Sequence, residues 1–496
     1  MPLRSNPSQH HGLTDEQLLA AAAKETAVFI EAAPGSGKTT VAAERYGFLH
    51  YNNLTDPRAT VALSFTRAAT RELRDRVARM WGLEALRSPN RIVTIDTLLS
   101  ELCSFLLYDN HLRWPGRHTD LRVLDGWGTS HKHTYSRYEP ILALREREIV
   151  ISCRINDSAS THIADASFKE AINAGICTHE DVRAIINAAL SDEELSEVLG
   201  RRIQSTIRSL IVDEIFDANR LDLRLISRAI RYSTNVTVIG DPWQALYLFR
   251  GAGPHLVPKL IKHFDLHTYR LTRSFRFISE QCVDLARNLR AGEPITLPAH
   301  TDEQLDIVLA RKWDTLWEIG GDVLPLSFGS PRTVEKAAAL LLLDMVTVSA
   351  LGRRAIFIEE ALVTLGITDS DVRKRLSLQL IDVLATLRST TASAVNDAWD
   401  QLVEVVQTES SQQFRNRHPT YTRPLSLLRG YLQRDVYHPV PAVTVHQAKG
   451  QEWSGVGVRL TPTERIALGA GLDKTKDDHR IIYVALTRGK STTVAI

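Results

Sequence analysis

Residues 31–46 read EAAPGSGKTTVAAERY, and the order of the parts around them decides the fold. Ahead of the glycines, residues 27–33 (AVFIEAA) form a short apolar run of the kind a buried strand uses. Behind them, TTVAAERYGFLHY holds few helix breakers. Strand, glycine-rich turn and helix in that order make the framework of a phosphate-binding loop. Gly35 and Gly37 let backbone amides turn inward around phosphate oxygens. Lys38 is long enough to reach the terminal phosphates, and Thr39 offers a hydroxyl to Mg2+. The candidate ATP-binding loop therefore runs through Ala33, Pro34, Gly35, Ser36, Gly37, Lys38, Thr39 and Thr40. The general pattern has a glycine where this chain has Ala32, and alanine is small enough for the bend.

Two further apolar runs end in chemistry. In residues 209–219 (SLIVDEIFDAN) a buried strand delivers Asp213 and Glu214 at its carboxyl end, where ligands sit in open parallel sheets. Asp213 is the candidate Mg2+ ligand beside Thr39, and Glu214 is placed to activate a water for in-line attack on a γ-phosphate. A second carboxylate beside the metal ligand argues for hydrolysis rather than transfer. Residues 236–252 (VTVIGDPWQALYLFRGA) end another strand at Gly240 and Asp241, with Gln244 able to read the γ-phosphate. Tyr247, Phe249 and Arg250 follow, two aromatics and a guanidinium suited to stacking on unpaired bases and clamping a phosphate. The competing reading of those aromatics is a packed core.

Composition narrows the classes. The chain has 496 residues, too many for one ordinary core, so several units are expected. A net charge of +2 excludes a polybasic coat and confines any nucleic-acid site to a local groove. The longest apolar run, residues 337–343, is far too short to span a bilayer, and residues 1–12 lack the apolar core of a signal peptide. A cytoplasmic protein with no membrane partner is expected. Cys103, Cys153, Cys177 and Cys282 stand far apart, and His111, His118, His131 and His133 match no metal-ligand spacing.

The order and wording of these blocks resemble the superfamily 1 helicases of the UvrD, Rep and PcrA type. Residues 13–17 (LTDEQ) look like the adenine-reading segment, with Gln17 in that role. Residues 64–73 (SFTRAATREL) are similar to a strand-end motif that contacts single-stranded DNA, here through Phe65 and Arg67. Residues 92–103 (IVTIDTLLSELC) look like the next motif of the first motor domain. Residues 273–277 (RSFRF) resemble the block that stacks on adenine through an aromatic, Phe275, and inserts an arginine finger, Arg276. Residues 443–453 (VTVHQAKGQEW) are similar to the motif touching DNA through His446 and the ribose through Glu452. Residues 477–490 (DDHRIIYVALTRGK) match the motif carrying a second finger, Arg488.

The resemblance implies an α/β protein of two recA-like P-loop motor domains with helical insertions. The first domain is expected over 1–100 and 200–252 with a helical insert at 101–199. The second is expected over 253–350 and 432–496 with a reduced helical insert at 351–431. ATP, with Mg2+, is expected between the motor domains. Lys38, Glu214, Gln244, Arg276 and Arg488 form the implied catalytic set, and translocation 3′ to 5′ on single-stranded or partly duplex DNA is the implied activity. Three departures are visible. Phe216 replaces a glutamine that links ATP state to neighbouring motifs, Thr40 replaces an arginine that packs on adenine, and Asp96 places a negative charge where a histidine is usual. Of the arginines at 67, 71, 74, 76 and 79, most are expected on a solvated helix face. The chain is also similar in size and layout to the helicase subunit of the Gabija anti-phage system. The alternative function is therefore an ATP-gated, DNA-sensing subunit with a nuclease partner. A third reading, a binding module without turnover, is opposed by the intact catalytic set.

Overall fold

Runs such as Ala59–Ser64 (ATVALS) and Ile207–Val212 (IRSLIV) are buried at every position, which only a strand covered on both faces allows. In the computed structural model these runs become the middle of a parallel sheet. The structure describes residues 12–128, 131–246, 248, 251–301, 304–367, 369–410 and 412–496. The chain divides into two compact units, Met1–Arg276 and Phe277–Ile496.

The sheet of the first unit has six strands in the spatial order His267–Leu271, Ala27–Ala32, Asn235–Gly240, Ile207–Val212, Ala59–Ser64 and Arg91–Thr94, all parallel. Helices follow the strands, several of them opened by a side chain that satisfies a free amide. Thr66 accepts from the Ala69 N–H, Thr94 from Thr97, and Asn219 forms a capping box with Asp222. Two findings differ from the sequence expectation. The edge strand His267–Leu271 pairs with Ala27–Ala32, so the unit runs to Arg276 rather than stopping at 252. The stretch expected to be a helical insert holds helices, but also a long antiparallel hairpin, His133–Arg145 with Glu148–Ile163. Its second strand begins with a run of β-branched residues, Ile149, Val150 and Ile151. Glu146 and Arg147, with φ of 46° and 72°, close a two-residue turn. The Thr178–Asp181 capping box does open a helix, His179–Ala189. The insert is not a separate domain, because Leu102, Phe168, Ile185 and Leu199 share one core with Val61 and Leu210 of the sheet.

The second unit has a five-stranded parallel sheet, in the order Val323–Pro325, Val440–Thr444, Ile307–Ala310, Trp453–Arg459 and Gly489–Ala495. The helices Val334–Leu351, Ile358–Leu365, Ser370–Arg388, Ala394–Glu409 and Pro419–Leu432 pack around their own core of Leu340, Leu380, Trp399 and Leu428. Among the described residues, no helix is long and apolar enough to cross a membrane.

Candidate nucleotide site and nucleic-acid contacts

Five of the six strands of the first sheet deliver a candidate residue at their carboxyl ends, Arg91–Thr94 being the exception. After Ala27–Ala32 comes the glycine loop, in which Gly35 and Gly37 adopt φ of 71° and 82°. Those angles lie in the left-handed region that favours glycine, and the surroundings add a second reason. A Cβ at Gly35 would collide with the Arg276 side chain and stand 2.6 Å from Ser274 Oγ. One at Gly37 would stand 2.6 Å from Gln17 Nε2. Ala32, the departure from the usual glycine, is a buried strand residue and needs no special angle. Ser36 Oγ is buried without a hydrogen-bond partner among the described residues, an unfilled polar position inside a loop built for phosphate. The helix Lys38–Tyr51 starts at the lysine, so its free first-turn amides face the loop.

Lys38 Nζ lies 2.8 Å from Glu214 Oε1 and donates to Gln244 Oε1 at 3.1 Å. Gln244 Nε2 in turn donates to Asp241 Oδ2 at 2.9 Å. Four residues from three strand ends thus form one chain of charge and hydrogen bonds around the position a terminal phosphate would take. Glu214 has φ of 55°, a left-handed conformation rare for a non-glycine residue and found where a site over-determines the backbone. Its N–H donates to Asp213 Oδ1 at 2.9 Å. Burial, and then the neighbouring Glu214 charge, push Asp213 up to about 7 against the pull of Lys38. A buried carboxylate that resists ionisation is one a divalent cation would satisfy. Thr39, half-buried on the first helical turn, supplies the other donor. Among the described residues there is no cluster of three or more His, Cys, Asp or Glu for a metal. The donor set fits Mg2+, which takes one or two protein groups and completes its shell with phosphate and water.

Gln17, which the resemblance gives an adenine-reading role, is buried and already bonded. It accepts from the Thr14 N–H at 3.0 Å and donates from Nε2 to Ser36 O at 2.9 Å, so in this structure it braces the loop. The segment after the edge strand also docks on the loop. Ser274 Oγ donates to Pro34 O at 2.8 Å and the Phe275 N–H to Gly35 O at 2.8 Å, which places Arg276 beside Gly35. The Phe275 ring is 52% exposed, with the Arg273 guanidinium 5.2 Å from its centroid, and offers an open stacking face.

The three departures acquire partners. Phe216 is buried against Phe29, with ring centroids 6.2 Å apart in an edge arrangement, and its place is the core. Thr40 accepts from Arg76 Nη1 at 2.5 Å, so a guanidinium reaches this corner from the next helix, Arg67–Trp81. Arg76, half-buried, therefore leaves the solvated face on which the spacing puts most of that series, whereas Arg67, Arg71, Arg74 and Arg79 are exposed, Arg74 donating to Ile92 O at 2.8 Å. The Asp96 charge is answered by Arg183, whose Nε donates to Asp96 Oδ1 at 2.6 Å and whose Nη1 donates to the buried Asp222 at 2.9 Å. Arg76, Arg183 and Ser274 carried no role in the sequence. Their partners lie 36, 87 and 240 positions away, beyond any local pattern.

Of the nucleic-acid candidates, Phe65 is half-buried against the sheet core and Arg67 is exposed, paired with Asp125 at 2.5 Å. Tyr247, Phe249 and Arg250 lie outside the described residues. In the second unit, Arg488 is buried and donates through Nε to Val484 O at 3.0 Å and through Nη1 to Gln451 O at 3.3 Å. The next residue, Glu452, lies 3.4 Å from Lys490, and the Trp453 N–H donates to Arg488 O at 3.1 Å. These bonds bring Glu452 and Arg488 together, each immediately before a strand. His446 stands half-buried on the short helix Val445–Ala448, after Val440–Thr444.

A model of the UvrD/REP helicase N-terminal domain matches residues 13–126 and 168–265, which span the glycine loop, Asp213, Glu214 and Gln244. Among curated relatives, ATP-dependent DNA helicase UvrD2 of Mycobacterium tuberculosis (strain ATCC 25618 / H37Rv) is 23% identical over 97% of this chain and 77% of its own length. The putative ATP-dependent DNA helicase YjcD of Bacillus subtilis (strain 168) is 23% identical over 53% of this chain and 36% of its own. ATP-dependent DNA helicase PcrA of Leuconostoc citreum is 24% identical over 54% and 37%. The family's N-terminal domain is thus matched across the glycine loop and the acidic strand end, and the chain is similar to UvrD-type ATP-dependent DNA helicases.

Proposed function

We propose that the chain is a DNA-dependent ATPase that translocates 3′ to 5′ along single-stranded DNA. The observation that carries the reading is the Lys38–Glu214–Gln244 cluster over the glycine loop. Phosphate oxygens replace Glu214 and Gln244 as acceptors for Lys38, which frees Glu214 to orient and deprotonate a water. Asp213 and Thr39 would hold Mg2+, which would supply charge neutralisation to the phosphates. Phe275 covers the base. Arg276 and Arg488 act as arginine fingers, stabilising charge that grows in the transition state, and Glu452 contacts a ribose. Phe65, Arg67 and His446 contact the strand together with Tyr247, Phe249 and Arg250. The relatives' names, which specify ATP-dependent DNA helicases, support the substrate class.

The test is ATP hydrolysis by the purified chain with and without single-stranded DNA, beside Glu214→Gln. Stimulation by DNA that vanishes in the variant is the expected result, and equal turnover with and without DNA would overturn the reading. Turnover that appears only when a nuclease partner is added would instead favour the ATP-gated defence subunit.

A further inference from the structure

Charge in the first unit is unevenly spread in a way the nucleotide site does not use. The helix Arg220–Arg231 carries Arg220, Arg224, Arg228 and Arg231, and its one acid, Asp222, is buried and bonded to Arg183. The helix Val257–His263 carries Lys259, Lys262 and His263 and no acid. In a chain of net charge +2, six cations and a histidine on two short helices are a local excess.

Between these helices lies a groove of about 390 Å³ with no carboxylate in its lining. Leu223 and Leu260 floor it, with Leu256 and the half-buried ring of Phe264 along its sides. Arg220, Arg224, Lys259 and His263 form its rim. Arg220 and Lys259 are exposed and have no ion pair among the described residues. Arg224 is pushed below its usual range first by burial and then by Arg220 and Arg228. The rim is thus a set of like charges held close together without a counter-charge.

We propose that this groove docks an acidic amphipathic segment of a partner protein, a helix whose apolar face meets the leucine floor while its carboxylates meet the rim. Charge complementarity carries the choice of occupant. Residues 1–11 of this chain contain no acid and cannot supply it. The other polyanion, duplex DNA, has use for the rim but none for the floor, since backbone contacts are polar and charged. Desolvated leucines and a phenylalanine in a groove between helices are anchors for side chains.

The experiment uses the full chain and a fluorescein-labelled peptide of about 16 residues, Leu at helical i, i+3, i+4, i+7 spacing with Glu elsewhere. The same peptide with Lys for Glu is the control. Fluorescence polarisation should give saturable binding of the Glu peptide only, weakened at least about tenfold in Arg220→Glu/Lys259→Glu. Both positions are exposed and outside the nucleotide site, so the melting temperature and basal ATPase should match wild type. Absence of saturable binding, equal binding of the Lys peptide, or equal binding by the double variant overturns the proposal. So does a duplex that displaces the peptide and loses affinity in the same variant, because the patch then belongs to DNA.

Discussion

The two sheets place their candidate nucleotide residues at opposite ends. In the first unit the candidate residues follow the strands, at the carboxyl edge where helix amino-termini and strand ends converge. In the second, Glu452 and Arg488 precede Trp453–Arg459 and Gly489–Ala495, at the amino edge. The bonding differs in kind as well. Lys38 is held by two side chains that a phosphate can replace, whereas Arg488 is buried and tied to backbone carbonyls that stay where they are. The first edge is built to exchange partners, and the second to hold one side chain fixed. A binding surface and a catalytic accessory should therefore separate in kinetics.

The sharpest break comes from Lys38→Ala. It removes the only cation bonded to both Glu214 and Gln244 among the described residues, so nucleotide binding and turnover should fall together, with hydrolysis lowered by at least roughly 10³-fold. Isothermal titration with a non-hydrolysable ATP analogue, beside a steady-state assay, checks both. Arg488→Lys should separate the two quantities. A fixed arginine that stabilises transition-state charge is worth roughly 10³-fold or more in turnover, while nucleotide affinity should stay within about threefold. Equal loss of affinity would erase the contrast between the edges. Circular dichroism melting guards against the alternative that the variant simply unfolds, since Arg488 is buried.

How far the sequence went follows from where each partner lies. The loop, both acidic strand ends and the parallel sheets were legible, because strand, turn and helix are adjacent and each carries its own period and cap. The hairpin at 133–163 was not. Its strands lie between helical patterns, and a bulge between Ser136 and Tyr138 interrupts the alternation that would have marked it. The departures were legible as departures but not as solved ones. Phe216 looked like a lost polar link, yet its ring completes a core. Asp96 looked like a negative charge set in place of a histidine, yet Arg183 pairs with it from a helix whose own pattern says only amphipathic. Cross-chain compensation leaves no mark in local sequence.

Arg183 offers a way to measure that compensation within the first unit. Its removal leaves Asp222, which is buried, and Asp96 facing each other without a cation. Arg183→Met should lower unfolding free energy by about 3 kcal/mol or more in urea titrations, because a broken buried pair strands a charge. Adding Asp96→Asn should recover part of the loss through the coupling of neighbouring sites. No loss in the single variant would mean that the insert stands without this bridge.

The smallest effect is expected at Arg76, and it bears most directly on the loop. Thr40 leaves the loop's trailing edge without the arginine usual there, and the Arg76 guanidinium arrives from another helix to hydrogen-bond its hydroxyl. If that contact positions the first helical turn for nucleotide, Arg76→Ala should raise KM for ATP about three- to tenfold, on the scale of one charge-assisted hydrogen bond, with kcat within about twofold. Thr40→Val removes the acceptor and should reproduce the same KM, and the double variant should add little to either single change. Additive effects would place Arg76 on the nucleotide independently of Thr40. A fall in kcat with KM unchanged would move its role from the binding edge to the chemistry and blur the division between the two sheets.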